Sequence, residues 1–230
     1  MDFRNKLIVS ADDFGLSKTA NRNILEVVKS KKIDRVSVMA DGILVKEEVE
    51  EILNSGIEID IHFDLVKKIT SNSILADNSL KRSLKFIFNF FSGKAKVSLM
   101  EKDWIRQLEK FKEIFGRNPD GINSHQHIHF FPPYFKIALK LAEDSGISYI
   151  RYGSKGFLGN LTVVRLILSI LCGKDNKLFG SSGLKSSDYL VSYDWICYFS
   201  GFLKKIPEGK TEIIFHPERE KEFEVIKNNL

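Results

Sequence analysis

Apolar and polar positions along the chain follow two alternating rhythms. "KLIVSADDFG" begins as a short apolar run and passes into acids and a glycine; "LSKTANRNILEVVKS" then sets Ala20, Ile24, Val27 and Val28 at helical spacing behind Ser17, a natural N-cap. "DRVSVMA" repeats the strand signal, "VKEEVEEILNSG" is a helix closed by Gly56, and "IEIDIHF" alternates as a third strand. Residues 66 to about 98 break the rhythm with polar, basic and aromatic text, and "LMEKDWIRQLEKFKEIFG" restores it as an amphipathic helix ending at Gly116. "DGINSHQHIH" reads as a fourth strand, "PPYFKIALKLAEDSG" as a helix that starts on proline and stops on glycine, and "ISYIRY" as a fifth strand. "LTVVRLILSILCG" reads as a buried helix within a stretch, 154 to 205, that is otherwise hard to place, and "TEIIFHPE" is a late strand before a charged tail helix.

Strands that alternate with helices imply a mostly parallel sheet, closed as a barrel or open and doubly wound. No internal repeat or low-complexity linker divides the chain. Residues 1–230 therefore read as one α/β domain with an irregular insertion at about 66–98, in which "LKFIFNFF" is a helix turning four phenylalanines toward the core.

Composition narrows the class. The chain has 230 residues, 43% hydrophobic and 28% charged, enough for one large soluble domain. Its 35 basic and 30 acidic residues give +5, with the basic residues dispersed and no recognition motif, so nucleic acid is not the expected partner. Cys172 and Cys197 form no disulfide framework, acids at Asp12 and Asp13 precede any signal-peptide core, and the longest apolar run is too short to span a bilayer. A cytoplasmic protein without a membrane partner is the expectation.

Candidate chemistry lies where the strands end. Asp12 and Asp13 follow the first strand, His62 ends the third, His125 the fourth, Arg151 the fifth and His216 the late one. In a parallel α/β sheet these carboxyl ends converge on one rim. Each residue alone has a plain structural explanation: a helix cap for the acids, a hydrogen-bonded strand end for each histidine, a salt bridge with Asp12 or another acid for Arg151. Together they suit a metal site. If "SHQHIH" is extended, His125, His127 and His129 line one face. One carboxylate and two imidazoles leave open positions on a divalent cation, as catalytic sites do. A second aspartate then serves as general base and a further histidine as general acid, the equipment for hydrolysing an amide or ester.

"SADDFG", "IHFDL", "SHQHIHFFP" and "TEIIFHP", in this order from Val9 to Pro217, resemble the YdjC-like carbohydrate deacetylase family, which includes chitooligosaccharide deacetylase. The resemblance implies a distorted TIM-like (β/α) barrel and metal-dependent removal of acetyl groups from N-acetylated mono- or oligosaccharides, phosphorylated ones among them. It implies Asp13, His62 and His125 as metal ligands, Asp12 as general base and His216 as general acid. His127 and Arg151 are left as supporting or substrate-contacting residues. The family implies magnesium, whereas two imidazoles favour zinc or another transition ion. "DIHFDLVKK" places Asp64 where the family carries an asparagine-like position, and "IRYGSKG" follows Arg151 in place of a proline-containing loop. A homodimer is compatible with these features. The alternatives are a metal-dependent phosphoesterase or other amidohydrolase on the same rim, and a non-catalytic binding protein.

Overall fold

The computed structural model describes residues 3–64 and 97–230. The eight strands among them are β1 (Leu7–Phe14), β2 (Arg35–Val38), β3 (Glu58–Phe63), β4 (Gly121–Ser124), β5 (Tyr149–Ile150), β6 (Gly156–Phe157), β7 (Tyr189–Ser192) and β8 (Thr211–Phe215). They form one sheet in the order β5-β4-β3-β2-β1-β8-β7-β6, every pairing parallel. With the helices around it this is a curled half-barrel of the TIM-like α/β type. The ring is open between β5 and β6. There the segment before β7 covers the β5 edge: Ile150 N–H donates to the Lys185 carbonyl at 3.0 Å, and Lys185 N–H donates to the Ser148 carbonyl at 2.8 Å.

Seven helices are described: α1 (Lys18–Lys29), α2 (Lys46–Ser55), α3 (Val97–Phe115), α4 (Pro132–Ser145), α5 (Val163–Ser182), α6 (Phe199–Leu203) and α7 (Glu220–Asn229). Their ends follow local chemistry. Ser17 Oγ accepts the Ala20 N–H at 3.1 Å and starts α1. Prolines occupy the first turn of α4, and Gly146 stops it in the left-handed region at φ 66°.

The two faces of the sheet differ in kind. Val9, Ala11, Val36, Val38, Ile59, Ile61, Phe63, Ile122, Ile150, Ile213 and Phe215 are buried on the outer face, beneath the helices. Phe63, for example, stacks on Trp104 of α3 with ring centroids 4.6 Å apart. Most of the alternate residues, turned inward, are polar yet just as buried: Ser10 and Asp12, Arg35 and Ser37, Asp60 and His62, Asn123, Arg151, Glu212, with Leu190 and Ile214 as apolar neighbours on the β7–β8 side. The hydrophobic core is thus the layer between sheet and helices, and the barrel interior is a hydrogen-bonded polar network. Gly121 makes room for it: a Cβ there would stand 2.5 Å from Asp60 Oδ1 and 2.7 Å from an Arg35 nitrogen.

Three expectations change. The fourth strand stops at Ser124, and His125–Phe130 form a 3-10 turn in which Gln126 and His127 are left-handed (φ 56° and 57°), so the three imidazoles do not share a face. The helix expected to be buried, α5, is covered by the described residues on one side only. Leu168 and Cys172 face inward, while Val163, Leu166 and Ile170 are about half exposed, because a helix on the open side of a barrel meets a single neighbouring layer. Strands β6 and β7, in the stretch that resisted placement, are two and four residues long, too short to show periodicity. The insertion expected at about 66–98, with its phenylalanine helix, lies outside the described residues apart from Val97 and Ser98, which begin α3.

Candidate metal centre

A break in β1 creates the site. Ala11 pairs with Val36 but Phe14 pairs with Val38, so one extra residue is accommodated on β1, and Asp13 takes up the slack at φ 74°. Aspartate tolerates this left-handed conformation better than most residues. In a regular strand neighbouring side chains diverge; here the bulge brings both acids to one imidazole. His62 Nε2 lies 3.2 Å from Asp13 Oδ1, and His62 Nδ1 lies 4.0 Å from Asp12 Oδ2.

His125, the first residue after β4, sets its Nδ1 3.0 Å from the same Asp13 oxygen. Ligand atoms of Asp13, His62 and His125 all lie within 4.8 Å of one another. Two donors about 2.1 Å from a common ion, at tetrahedral or octahedral angles, stand about 3.0–3.4 Å apart. Both separations from Asp13 Oδ1 match that spacing and the ligand nitrogens of the two imidazoles lie within 4.8 Å of each other, so the donor set is compatible with a divalent cation.

Electrostatics separate the two acids. Burial would raise the Asp13 carboxyl, but His125 and His62 outweigh it and hold it well below the usual carboxylate range. Burial likewise opposes a charged His125, and the Asp13 carboxylate, aided by Asp64, prevails and raises it. Asp12 belongs to the interior. Arg151 donates to its two oxygens at 2.6 and 2.8 Å, and Ser37 Oγ donates to Oδ1 at 2.7 Å. Against burial, the Arg151 guanidinium and the nearby imidazoles hold Asp12 well below the ordinary value.

Arg151 is fully buried, its Nε donating to Glu212 Oε1 at 2.7 Å, so none of its guanidinium reaches the surface to meet a substrate. His127 sits beside the site, its ring 6.1 Å from Trp195 and 6.2 Å from Phe130, with Nδ1 lacking a hydrogen bond among the described residues. His129 turns away. Ser124 Oγ lies 2.7 Å from its Nδ1, the Arg151 carbonyl 2.8 Å from its Nε2, and burial pushes it down to about 3.

His216 leaves β8 at the same rim. Its backbone N–H donates to Glu222 Oε2 at 2.6 Å, and its Nδ1 stands 3.6 Å from that oxygen. Burial disfavours its charged form, but Glu222, Asp13 and Asp12 outweigh burial and raise it.

A cavity of about 550 Å³ lies at the opposite, amino-terminal end of the strands, near Asp34, Arg35, Glu58 and Lys210. Of the charges that line it, Asp34 pairs with Arg4, and Arg35 pairs with Glu58 and Asp60.

The YdjC-like protein family matches residues 6–229. The chain belongs to this family. It is similar to a chitooligosaccharide deacetylase of Escherichia fergusonii, 30% identical over 146 residues, which cover 62% of this chain and 57% of that protein. A carbohydrate deacetylase of Danio rerio is 26% identical over 153 residues, 64% of this chain and 49% of that protein. The matches thus span about half the length of these curated relatives. A crystal structure from Enterococcus faecalis V583, of a candidate cellobiose-phosphate cleavage protein, superimposes with a TM-score of 0.61 at 20% identity, covering 91% of this chain and 80% of that one. That likeness supports the fold of the YdjC-like chain.

Asn123, Ser37, Glu212 and Glu222 were not singled out by motif. Only Ser37 carried a signal, as a polar residue alternating with Val36 and Val38; Asn123 and Glu212 have polar strand neighbours, Ser124 and Thr211, and break no alternation.

Proposed function

We propose that this YdjC-like protein is a metal-dependent carbohydrate N-deacetylase, hydrolysing the acetamide of an N-acetylated mono- or oligosaccharide. The observation that carries the reading is the convergence of Asp13, His62 and His125 within 4.8 Å at the strand ends, with Asp12 and His216 beside them. Names of the two deacetylase relatives supply the substrate class. Asp13, His62 and His125 hold the ion, and two imidazoles with one carboxylate favour zinc or another first-row transition ion over magnesium. When bound, such an ion supplies an acidified water and polarises the acetamide carbonyl.

The other residues move protons. Asp12 stays ionised and takes the proton of the attacking water. Three of its four acceptor positions are filled by Arg151 and Ser37, leaving one on Oδ2. A carboxyl held so far down is a weak base, which suits only a water that is already acidic. His216, raised by Glu222 and the two aspartates, carries the proton that the leaving amine needs. The products are acetate and the free amino sugar.

Acetate release is the test. Chelator-treated protein is incubated with N-acetylated chitooligosaccharides, with and without zinc, cobalt, manganese or magnesium. Release that requires an added ion, and is lost in Asp12→Asn while ion binding persists, is the expected result. No acetate with any ion rejects the reaction; phosphate from a phosphorylated sugar would point to phosphoesterase chemistry instead.

A further inference from the structure

An imidazole offers a cation one lone pair, and the ring itself does not choose which nitrogen carries it. At His62 the choice falls to the neighbouring strand. His62 and Asn123 are register partners across β3 and β4, and the Asn123 side-chain Oδ1 is hydrogen-bonded to His62 Nδ1.

The orientation of the Asn123 amide follows from its other contacts. Nδ2 lies 2.9 Å from Ser37 Oγ and 3.4 Å from Asp60 Oδ2. Asp60 is a carboxylate whose two oxygens both accept from Arg35, so the group facing it must donate. The NH2 end of Asn123 therefore points at Ser37 and Asp60, and the carbonyl end at His62. A carbonyl oxygen only accepts. The proton of His62 consequently sits on Nδ1, and Nε2 carries its lone pair toward Asp13 Oδ1, 3.2 Å away. Ser37 closes the chain: it accepts from Asn123 Nδ2 and from Arg151 at 3.2 Å, so its own proton goes to Asp12 Oδ1. From His62 Nδ1 through Asn123 and Ser37 to Asp12 each donor meets an acceptor; on the other side of the ring, Nε2 and Asp13 Oδ1 are then both acceptors, a pairing that a shared cation would satisfy.

We propose that Asn123 is a positioning residue that fixes the Nδ1–H tautomer of His62 and thereby sets the affinity of the rim for a divalent cation. This rests on reading Asp13, His62 and His125 as cation ligands. A carboxylate, carbonyl or amide behind a ligating histidine typically changes metal affinity about 10–100-fold.

The experiment is calorimetric titration of zinc into the full-length, chelator-stripped protein, as wild type, Asn123→Leu and Asn123→Thr. Wild type should take up one zinc per chain, Asn123→Leu should bind about 10–100-fold more weakly, and Asn123→Thr should recover most of that loss, because its hydroxyl can accept from His62 and donate to Ser37 at once. Equal binding by Asn123→Leu, or equal losses in both variants, overturns the role. Failure of the wild type to bind zinc rejects the ligand reading itself and the proposal with it; that arm stands apart from the variants. A second measurement needs no variant. Long-range proton–nitrogen correlation spectra of histidine-labelled, zinc-loaded wild type at pH 8 should show His62 protonated on Nδ1, and a proton on Nε2 instead overturns the assignment.

Discussion

Asp12, inside the barrel, and Asp175, in the helical layer, are both almost fully buried, at 2% and 1% exposure, yet their surroundings push them in opposite directions. Asp12 has two arginine nitrogens and a serine hydroxyl on its oxygens and is held far below the ordinary carboxylate value. Asp175 lies on α5 with neither oxygen hydrogen-bonded among the described residues, and burial lifts it to about 6 against the weak pull of Lys136 and Lys174. Burial acts alike on both; partners decide the outcome. By turning polar residues inward on neighbouring strands, the half-barrel gathers those partners in one place. A carboxylate can then stay ionised away from water, beside a rim where a cation fits.

The largest effect should come from making the interior resemble the helical layer. Arg151→Met leaves Asp12 and Glu212 buried without their cation. It should cost about 3–5 kcal/mol in urea unfolding at pH 7, the usual penalty for breaking a buried pair from one side. A loss below about 1 kcal/mol would mean that the interior is not held by this residue. The same network predicts acid lability. Asp12 and Asp13 have folded values below the unfolded carboxyl value, so the stability they add is complete above about pH 4 and is lost as pH falls through their folded values.

The rim should behave differently from the interior, because Asp13 faces imidazoles and no arginine. Asp13→Asn keeps a residue that tolerates the left-handed backbone and removes the charge a cation needs. Zinc affinity should fall at least about 100-fold, while stability without zinc at pH 7 falls by about 1–2 kcal/mol, the carboxylate's contacts with the two imidazoles being lost, which is less than the loss in Arg151→Met. Titration calorimetry and urea unfolding read the two quantities separately. A loss of fold as large as that of Arg151→Met would erase the distinction between rim and interior.

How much of this was legible in the chain depended on the range of the interaction. Helix ends were readable, since Ser17, Gly56, Gly116 and Gly146 act on their own neighbours. So were β1 to β3, and the placement of Asp13, His62 and His125 at strand ends, because strand periodicity carries its own direction. The conformation of "SHQHIH" was not: two successive left-handed residues that are neither glycine nor asparagine have no local signature, and alternation alone suggested a strand. Nor could the bulge at Asp13 be read, since a bulge is defined by the partner strand. A salt bridge of Arg151 with Asp12 or another acid was one of the readings open in the chain; the curl of the sheet, which joins positions 139 apart, decides for Asp12, with Glu212 as second partner. Even so, Ser10, Ser37 and Asp60 each stand between two apolar strand neighbours, which is the trace a polar barrel interior leaves in sequence.

The smallest effect returns to Asp175. Its folded value is raised to about 6 from an ordinary 3.8. Above pH 7 the carboxylate is ionised in both folded and unfolded chains, and the full cost of burying it is felt. As pH falls from 6 to 4 the folded protein takes up the proton before the unfolded chain does, and the cost fades; below pH 4 it is gone. A shift of this size corresponds to roughly 2–3 kcal/mol. An asparagine in place of the acid would still bury an amide, which returns part of that gain. Asp175→Asn should therefore stabilise the protein by about 1–2 kcal/mol at pH 8 and by nothing at pH 4, in urea unfolding at the two pH values. Tyr152 and Cys172, which share the site, titrate well above this window and leave the sign unchanged. An equal effect at both pH values would trace the change to packing, and a destabilisation at pH 8 would mean that Asp175 has a partner that favours its charge.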